Sequence, residues 1–201
     1  MKSLFRRNRN FIEIYDNALS KKECEILINQ FEKSDKVIQG LTSRGYTPEY
    51  KKCLEIKGDF TEKNIINNIL RPKVISYMQR SIDKNKFPCE FDNIGALDFI
   101  PSWTFSKYYN IQKYESEDDG YKQWHCEHGM EENSNRILAW MFYLNDAKCG
   151  TEFAYFPTVN AKAGRCVIWP AFWTHLHRGV IPNKGIKYIA TGWYEYCEHD
   201  M

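Results

Sequence analysis

Four of the five histidines of this 201-residue chain fall into two short clusters. His125 and Glu127 are two residues apart, and so are His175 and His177. Because residues two apart share one face of a β-strand, the members of each pair are expected to project together. A His-x-carboxylate pair with one distant His supplies a facial triad, the ligand set typical of non-haem Fe(II) oxygenases. The clusters therefore predict an iron site, with ordinary strand histidines satisfied by their neighbours as the alternative.

The residues that follow His177 carry a second signal, because Pro182, Gly185 and Lys187 stand at fixed offsets from it. This order resembles the prolyl 4-hydroxylase-like branch of the 2-oxoglutarate- and Fe(II)-dependent dioxygenases. In that family a Pro-rich turn, a Gly and, ten positions on, a basic residue follow the distal iron-binding His. The resemblance implies that His177 rather than His175 binds iron, and that Lys187 pairs with the far carboxylate of 2-oxoglutarate.

Other segments resemble the same family along most of the chain. Tyr114, eleven residues before His125, is similar to the tyrosine that borders the cosubstrate. Tyr143 is similar to the tyrosine that hydrogen-bonds the cosubstrate carboxylate, although its apolar neighbours are also typical of a core. Trp193, six residues after Lys187, matches the closing strand and is expected to form part of the cleft wall at the cosubstrate. The remaining matched segments are Tyr15–Ser20, Gly150–Phe153 and Ala163–Pro170.

The chain departs from the family pattern at two places. Glu127 stands where the family usually has Asp, so a side chain one methylene longer must fold back to reach the same metal. The usual Gly-Gly-x-Thr turn is altered to Cys149-Gly150-Thr151. A carboxylate is nevertheless retained, which favours hydroxylation over halogenation, because halogenases of this family leave that coordination position to halide.

The resemblance implies an enzyme that uses Fe(II), 2-oxoglutarate and O₂, with ascorbate as a reductant that can support it. It would hydroxylate a C–H bond of a prolyl or other amino-acyl or peptidyl substrate and release succinate and CO₂. One alternative is a cupin-like jelly roll that binds a metal or ligand without redox activity, but Arg178–Ile181 lacks the expected Glu. Another is a nucleic-acid demethylase of the same superfamily, whose paired-arginine signature the closing segment lacks.

The elements that position these residues are expected to form one domain over 1–201 with an α+β fold. From about residue 97 to 197, short aromatic and β-branched runs between turns predict a double-stranded β-helix (jelly roll). Its expected strands are Tyr108–Tyr114, Tyr121–Cys126, Arg136–Leu144, Thr151–Phe156, Arg165–Trp169 and Lys187–Tyr196.

Residues 1 to about 90 are expected to be mainly helical and to pack on one sheet of the jelly roll, after a short strand at Phe11–Tyr15. Apolar spacing predicts a helix over Lys21–Lys33, preceded by a capping box of Ser20 and Glu23. A second helix is predicted from Glu62 to about Ile82, with Pro72 kinking or dividing it.

Composition limits the classes of function further. The chain carries 28 basic and 26 acidic side chains, so its net charge of +2 gives little attraction for nucleic acid. Seven cysteines without a Cys-x-x-Cys pair argue against a disulfide framework or zinc knuckle and favour a reduced, cytoplasmic protein. No apolar run is long enough to span a bilayer. A peptide, protein or amino-acid substrate is the expected partner, and the oligomeric state stays open.

Two groups of residues stay ambiguous from the sequence. His128 and His175 are equally consistent with hydrogen bonding near the metal and with the surface. The aromatic residues between Trp103 and Tyr109 fit either core packing, the commoner case, or a substrate groove.

Overall fold

The computed structural model describes residues 10–59, 64–81, 103–115, 117–130, 133–180 and 185–196. Its two α-helices are α1 (Lys21–Glu32) and α2 (Ile65–Ser81). Its strands are β1 (Glu13–Tyr15), β2 (Ile38–Gln39), β3 (Lys51–Lys52), β4 (Leu54–Asp59), β5 (Trp103–Phe105), β6 (Tyr108–Tyr114), β7 (Gly120–Tyr121), β8 (Arg136–Tyr143), β9 (Gly150–Phe153), β10 (Phe156–Asn160), β11 (Cys166–Pro170), β12 (His177–Gly179) and β13 (Lys187–Tyr196).

The strands form a large and a small antiparallel sheet that face each other. The large sheet has the order β1-β11-β8-β13-β6-β4-β2, with β5 also paired to β13. The small sheet has the order β10-β9-β12, and β3 pairs with β7 beside it. This arrangement, with two helices, is the α+β double-stranded β-helix predicted from the sequence, and the fold class is confirmed.

Side chains of the large sheet alternate between two cores. On β8, Leu138, Trp140 and Phe142 belong to a cluster that also holds the buried faces of α1 and α2. Met141 and Tyr143, one step out of phase, belong to a second cluster between the sheets. This period of two follows from strand geometry, and it separates a helix-covered face from the face that lines the active-site cavity.

The two helices cover one face of the large sheet, as expected. The predicted capping box at the start of α1 is present: Ser20 Oγ accepts from the Glu23 amide at 3.3 Å, and Glu23 Oε2 accepts from the Ser20 amide at 2.7 Å. Pro72 lies inside α2 without ending it. No helix among the described residues is long and apolar enough to cross a membrane.

The structure differs from the predicted elements in three places. The N-terminal part contributes more strand than expected, because β2 and β4 join the large sheet and β3 pairs with β7. The predicted strand at 121–126 shrinks to β7, and the prediction over 151–156 divides into the β9–β10 hairpin. Pro182, His199 and both ends predicted for the second helix lie outside the described residues.

Candidate active site

The backbones of His125 and His177 are paired directly. The His125 amide donates to the His177 carbonyl at 3.0 Å, and the His177 amide donates back at 2.9 Å. This isolated bridge is what remains of the predicted strand around His125. The chain then leaves strand geometry, because the amides of Glu127 and His128 both donate to the Ala171 carbonyl. The prediction that a shared strand face joins His125 and Glu127 is therefore wrong, and a turn brings them together.

Backbone hydrogen bonds orient both imidazole rings. Nδ1 of His125 lies 2.8 Å from the Gln123 carbonyl oxygen, and Nδ1 of His177 lies 2.9 Å from the His175 carbonyl oxygen. A carbonyl can only accept, so each ring carries its proton on Nδ1 and leaves the Nε2 lone pair free. Tyr121 stacks on His125 with ring centroids 3.5 Å apart, which holds that ring further.

Glu127 faces both free imidazole nitrogens. Its Oε1 lies 3.3 Å from Nε2 of His177 and 3.6 Å from Nε2 of His125. Burial alone would raise the pKa of this carboxyl group, but the closeness of the two histidines outweighs burial and holds its pKa well below the usual value. Burial, followed by the nearby His177, lowers the pKa of His125. These pKa directions favour an ionised carboxylate at Glu127 and a neutral imidazole at His125.

This donor set fits a divalent iron ion. The three ligand atoms lie within 4.8 Å of one another, and no other such group of His, Cys, Asp or Glu occurs among the described residues. Two neutral imidazoles and one carboxylate are the ligands of the facial triad, and each has a free lone pair directed at the others. His125, Glu127 and His177 are thus brought together as the sequence predicted.

A cavity of about 890 Å³ lies between the two sheets, and the three clustered side chains are among the residues that line it. Alternate residues of β13 line it, from Lys187 through Ile189, Thr191 and Trp193 to Glu195. Alternate residues of the neighbouring strand β6 line the cavity as well. One wall of the cavity is therefore the inner face of the large sheet, and the period of two decides which residues face it.

Lys187 is 3% exposed and lies in this wall. Its Nζ is 4.2 Å from the centre of the Tyr114 ring, and no carboxylate among the described residues pairs with it. Burial lowers the pKa of Lys187, because an ammonium loses hydration in the interior. A buried ammonium without a carboxylate partner suits an anionic ligand, so Lys187 and Tyr114 lie where a dicarboxylate could be bound.

A buried polar chain continues from Tyr114 and was not foreseen. The Tyr114 hydroxyl donates to Gln112 Oε1 at 2.8 Å, and Gln112 Nε2 donates to Glu55 Oε2 at 3.0 Å. Lys51 Nζ donates to the same Glu55 oxygen at 2.9 Å. Gln112 could have been found from its phase on the predicted strand. Lys51 and Glu55 gave no signal, because no strand is predicted there.

Tyr143 lies behind the cavity wall rather than in it. Its hydroxyl donates to the Val159 carbonyl at 3.1 Å and shares a hydrogen bond of 2.8 Å with Thr151 Oγ1. Thr151 itself lines the cavity. Tyr143 is not among the residues that line the cavity, and its hydroxyl already bonds Val159 and Thr151, so direct contact with the cosubstrate carboxylate stays a prediction. The Gly-Thr turn in the sequence was the available signal for Thr151.

Trp193 and Arg136 contact the carboxylate of Glu127 from the other side. The indole nitrogen of Trp193 donates to Glu127 Oε2 at 2.9 Å, and Nη1 of Arg136 lies 3.6 Å from the same oxygen. Both residues line the cavity. Trp193 is cleft wall, as predicted, and in addition contacts the predicted iron ligand.

His175 and His128 lie outside the cluster. Nε2 of His175 lies 2.8 Å from the Asn10 carbonyl oxygen, and its ring stacks on Phe156, so it ties down the N-terminal segment. His128 stacks on Phe172 and lies 3.1 Å from the Arg136 carbonyl oxygen. Of these two residues, only His175 contributes to the site, because its backbone carbonyl accepts a hydrogen bond from Nδ1 of His177.

Comparison with known proteins agrees with this geometry. Residues 109–195 match the sequence model of the 2OG-Fe(II) oxygenase superfamily. This segment contains the three clustered side chains, Lys187 and Tyr114. No curated protein sequence matches the chain at a significant level.

Several solved structures share the fold. A viral collagen prolyl hydroxylase from Paramecium bursaria Chlorella virus-1, solved with 2-oxoglutarate, superposes with a TM-score of 0.63 at 17% identity, covering 92% of this chain and 96% of that one. A Trichoplax adhaerens prolyl hydroxylase, solved with a fragment of hypoxia inducible factor, gives 0.67 at 15% identity, covering 94% and 85%. A Pseudomonas putida prolyl-4-hydroxylase gives 0.63 at 12% identity, covering 93% and 94%. The family match confirms the predicted 2-oxoglutarate- and Fe(II)-dependent oxygenase, and the solved structures confirm its fold.

Proposed function

We propose that this chain, whose residues 109–195 match the sequence model of the 2OG-Fe(II) oxygenase superfamily, hydroxylates a prolyl residue of a peptide or protein. The observation that carries the proposal is one cavity that holds both His125, Glu127 and His177 and the buried ammonium of Lys187. The reaction would consume 2-oxoglutarate and O₂ and release succinate and CO₂.

His125, Glu127 and His177 would hold the iron. When bound, Fe(II) supplies open coordination positions for a bidentate 2-oxo acid and for O₂. Lys187 binds the far carboxylate of 2-oxoglutarate as a buried point charge, and Tyr114 packs against that ammonium. Thr151, on β9 of the small sheet, offers a hydroxyl that also lines the cavity and is held in place by Tyr143.

The walls of the cavity exclude water and hold the imidazole of His177. Trp169 packs edge-on against His177 with ring centroids 5.1 Å apart, and Phe153 lies 5.7 Å away. These buried rings keep solvent from the reacting groups on the inner side, which prevents side reactions.

A prolyl peptide is the substrate class that the lining of the cavity supports best. Tyr108, Tyr121 and Trp193 are among its lining residues. Aromatic surfaces pack well against prolyl rings and extended Pro-rich chains. Two of the structurally similar enzymes are a collagen prolyl hydroxylase and a prolyl hydroxylase solved with a peptide fragment of hypoxia inducible factor.

The test combines spectroscopy with product analysis. Under anaerobic conditions, Fe(II) and 2-oxoglutarate should give the protein the weak visible absorption band of a chelated 2-oxo acid, and Glu127→Ala should not give it. With air and a Pro-rich peptide, we expect succinate together with a mass increase of one oxygen on the peptide. A matched peptide with Ala for Pro is the control.

The outcomes separate the alternatives. Absence of the band in the wild-type protein would contradict the oxygenase proposal and favour a cupin-like binding role. The band with equal oxidation of both peptides would contradict the prolyl substrate alone.

A further inference from the structure

The two oxygens of the Glu127 carboxylate have different neighbours. Oε1 faces Nε2 of His177 at 3.3 Å and Nε2 of His125 at 3.6 Å. Oε2 accepts a hydrogen bond from Trp193 Nε1 at 2.9 Å and lies 3.6 Å from Arg136 Nη1. One oxygen is thus turned to the imidazoles, while the other accepts a hydrogen bond from Trp193 and lies close to the guanidinium of Arg136.

Trp193 and Arg136 also contact each other and form a single unit beside the Glu127 carboxylate. The guanidinium carbon of Arg136 lies 3.5 Å from the centre of the Trp193 ring, so the cation stacks on the indole face. Arg136 Nη1 also donates to the backbone carbonyl of Glu127 at 3.4 Å, and its Nε lies 3.9 Å from Glu195 Oε1. Trp193 lies within β13, where its backbone is paired with a residue of β8. The sheet therefore fixes the position of its backbone. The unit has little freedom to follow a moving carboxylate.

We propose, on the basis of the function proposed above, that Trp193 and Arg136 are positioning residues that make Glu127 a one-oxygen ligand. A glutamate has one more rotatable bond than the aspartate usual at this place, so an unrestrained carboxylate can turn and bind metal through both oxygens. A second bound oxygen would occupy a coordination position that 2-oxoglutarate or O₂ needs. Holding Oε2 by a hydrogen bond keeps that position open and compensates for the extra methylene.

The experiment compares full-length wild-type protein with Trp193→Phe, which keeps one aromatic ring under Arg136 and removes the pyrrole ring that carries the indole N–H. The readouts are the Kd for Fe(II) and the anaerobic absorption band with 2-oxoglutarate, neither of which depends on turnover. Loss of a hydrogen bond to a charged group should change the Fe(II) Kd or the apparent Kd for 2-oxoglutarate roughly tenfold, and shift or weaken the band.

Trp103→Phe is the matched control. Trp103 lies on β5, and within the described residues its indole nitrogen has no hydrogen-bond partner. Removing that N–H should leave both Kd values and the band unchanged. A Trp193→Phe protein indistinguishable from wild type in all three readouts would overturn the positioning role, while a wild-type protein without the band would instead overturn the proposed function.

A double-mutant comparison with Glu127→Asp shows whether the effect of Trp193→Phe depends on the Glu127 side chain. In a Glu127→Asp background the shorter carboxylate cannot reach both the imidazoles and Trp193, so Trp193→Phe should have less than a threefold effect there. An equal loss in both backgrounds would contradict the proposal. If Trp193→Phe does not fold, Arg136→Met carries the same comparison, because it removes the charge from Oε2 and leaves the indole N–H in place.

Discussion

Lys187 is the residue whose change separates ligand binding from folding most cleanly. Removing one partner of a buried charge pair typically costs several kcal/mol, so Lys187→Ala should weaken 2-oxoglutarate binding by about 2 kcal/mol, roughly 30-fold. Lys113→Ala is the control, because Lys113 lies on neighbouring β6 and pairs with Glu32 and Glu115. Calorimetric titration under anaerobic conditions measures both variants.

Partial recovery in Lys187→Arg would support the ion pair, because a guanidinium also binds carboxylates. The ligand-free Lys187→Met protein should be more stable than wild type by on the order of 1 kcal/mol, because it no longer buries an unpaired charge. Unchanged affinity for 2-oxoglutarate in the Ala variant would remove Lys187 from the site.

His177 and His175 offer a comparison at equal burial, since each is 5% exposed. His177→Ala should abolish iron binding, because its Nε2 faces Glu127. His175→Ala should keep one bound iron and lose stability, because it gives up the contact with the Asn10 carbonyl and the stacking on Phe156. Iron content after gel filtration and thermal unfolding measure the two effects. Equal loss of iron from both proteins would show that the choice between the histidines is wrong.

Among the elements, β13 combines structural and functional roles on its two faces. Gly192 faces the helix-covered core, where an added Cβ would lie 2.5 Å from Cζ2 of the fully buried Trp140. Such overpacking should destabilise Gly192→Ala by about 1–3 kcal/mol. Gly129→Ala is the control, because the nearest atom to its Cβ would lie at an ordinary 3.6 Å. Urea unfolding compares the two, and equal midpoints for Gly192→Ala and wild type would contradict the packing described here.

An ion-pair cluster joins the end of β1 to the segment before β11. Asp16 accepts from Arg165 at 2.7 Å and lies 3.2 Å from Lys162. Hydrogen bonds from Arg165 and then Lys162 lower the pKa of Asp16 to about 2. A lowered carboxyl pKa stabilises the fold above the unfolded-state value and loses this effect as the pH falls through the folded-state value. The difference in Tm between wild type and Asp16→Asn should therefore narrow between pH 4 and pH 2, and a constant difference would contradict the pairing.

At the scale of the whole molecule, local patterns predicted what local physics determines. The capping box of Ser20 and Glu23 and the strands of the C-terminal half follow from hydrogen-bonding rules and from alternation. The pairing of β4 with β6 could not be read from the sequence, because it depends on contacts between distant segments. The same reason hid Lys51 and Glu55.

The candidate site was predicted to a similar extent and for related reasons. Residue types and the offset to Lys187 selected the three clustered side chains, but the turn that carries Glu127 depends on the Ala171 carbonyl, which no spacing reveals. The partners of the Tyr143 hydroxyl, Thr151 and Val159, could not be predicted, because they come from a different strand pair. The single-domain organisation and the cytoplasmic location stay predictions.

Anomalous diffraction tests directly whether one cavity holds iron at His125, Glu127 and His177 and 2-oxoglutarate at Lys187. Crystals grown anaerobically with Fe(II) and 2-oxoglutarate would be measured at the iron absorption edge. We predict a single peak within bonding distance of Nε2 of His125, Nε2 of His177 and Oε1 of Glu127, with the far carboxylate at Lys187. A peak bound by other residues, or iron at the triad with 2-oxoglutarate away from Lys187, would contradict it.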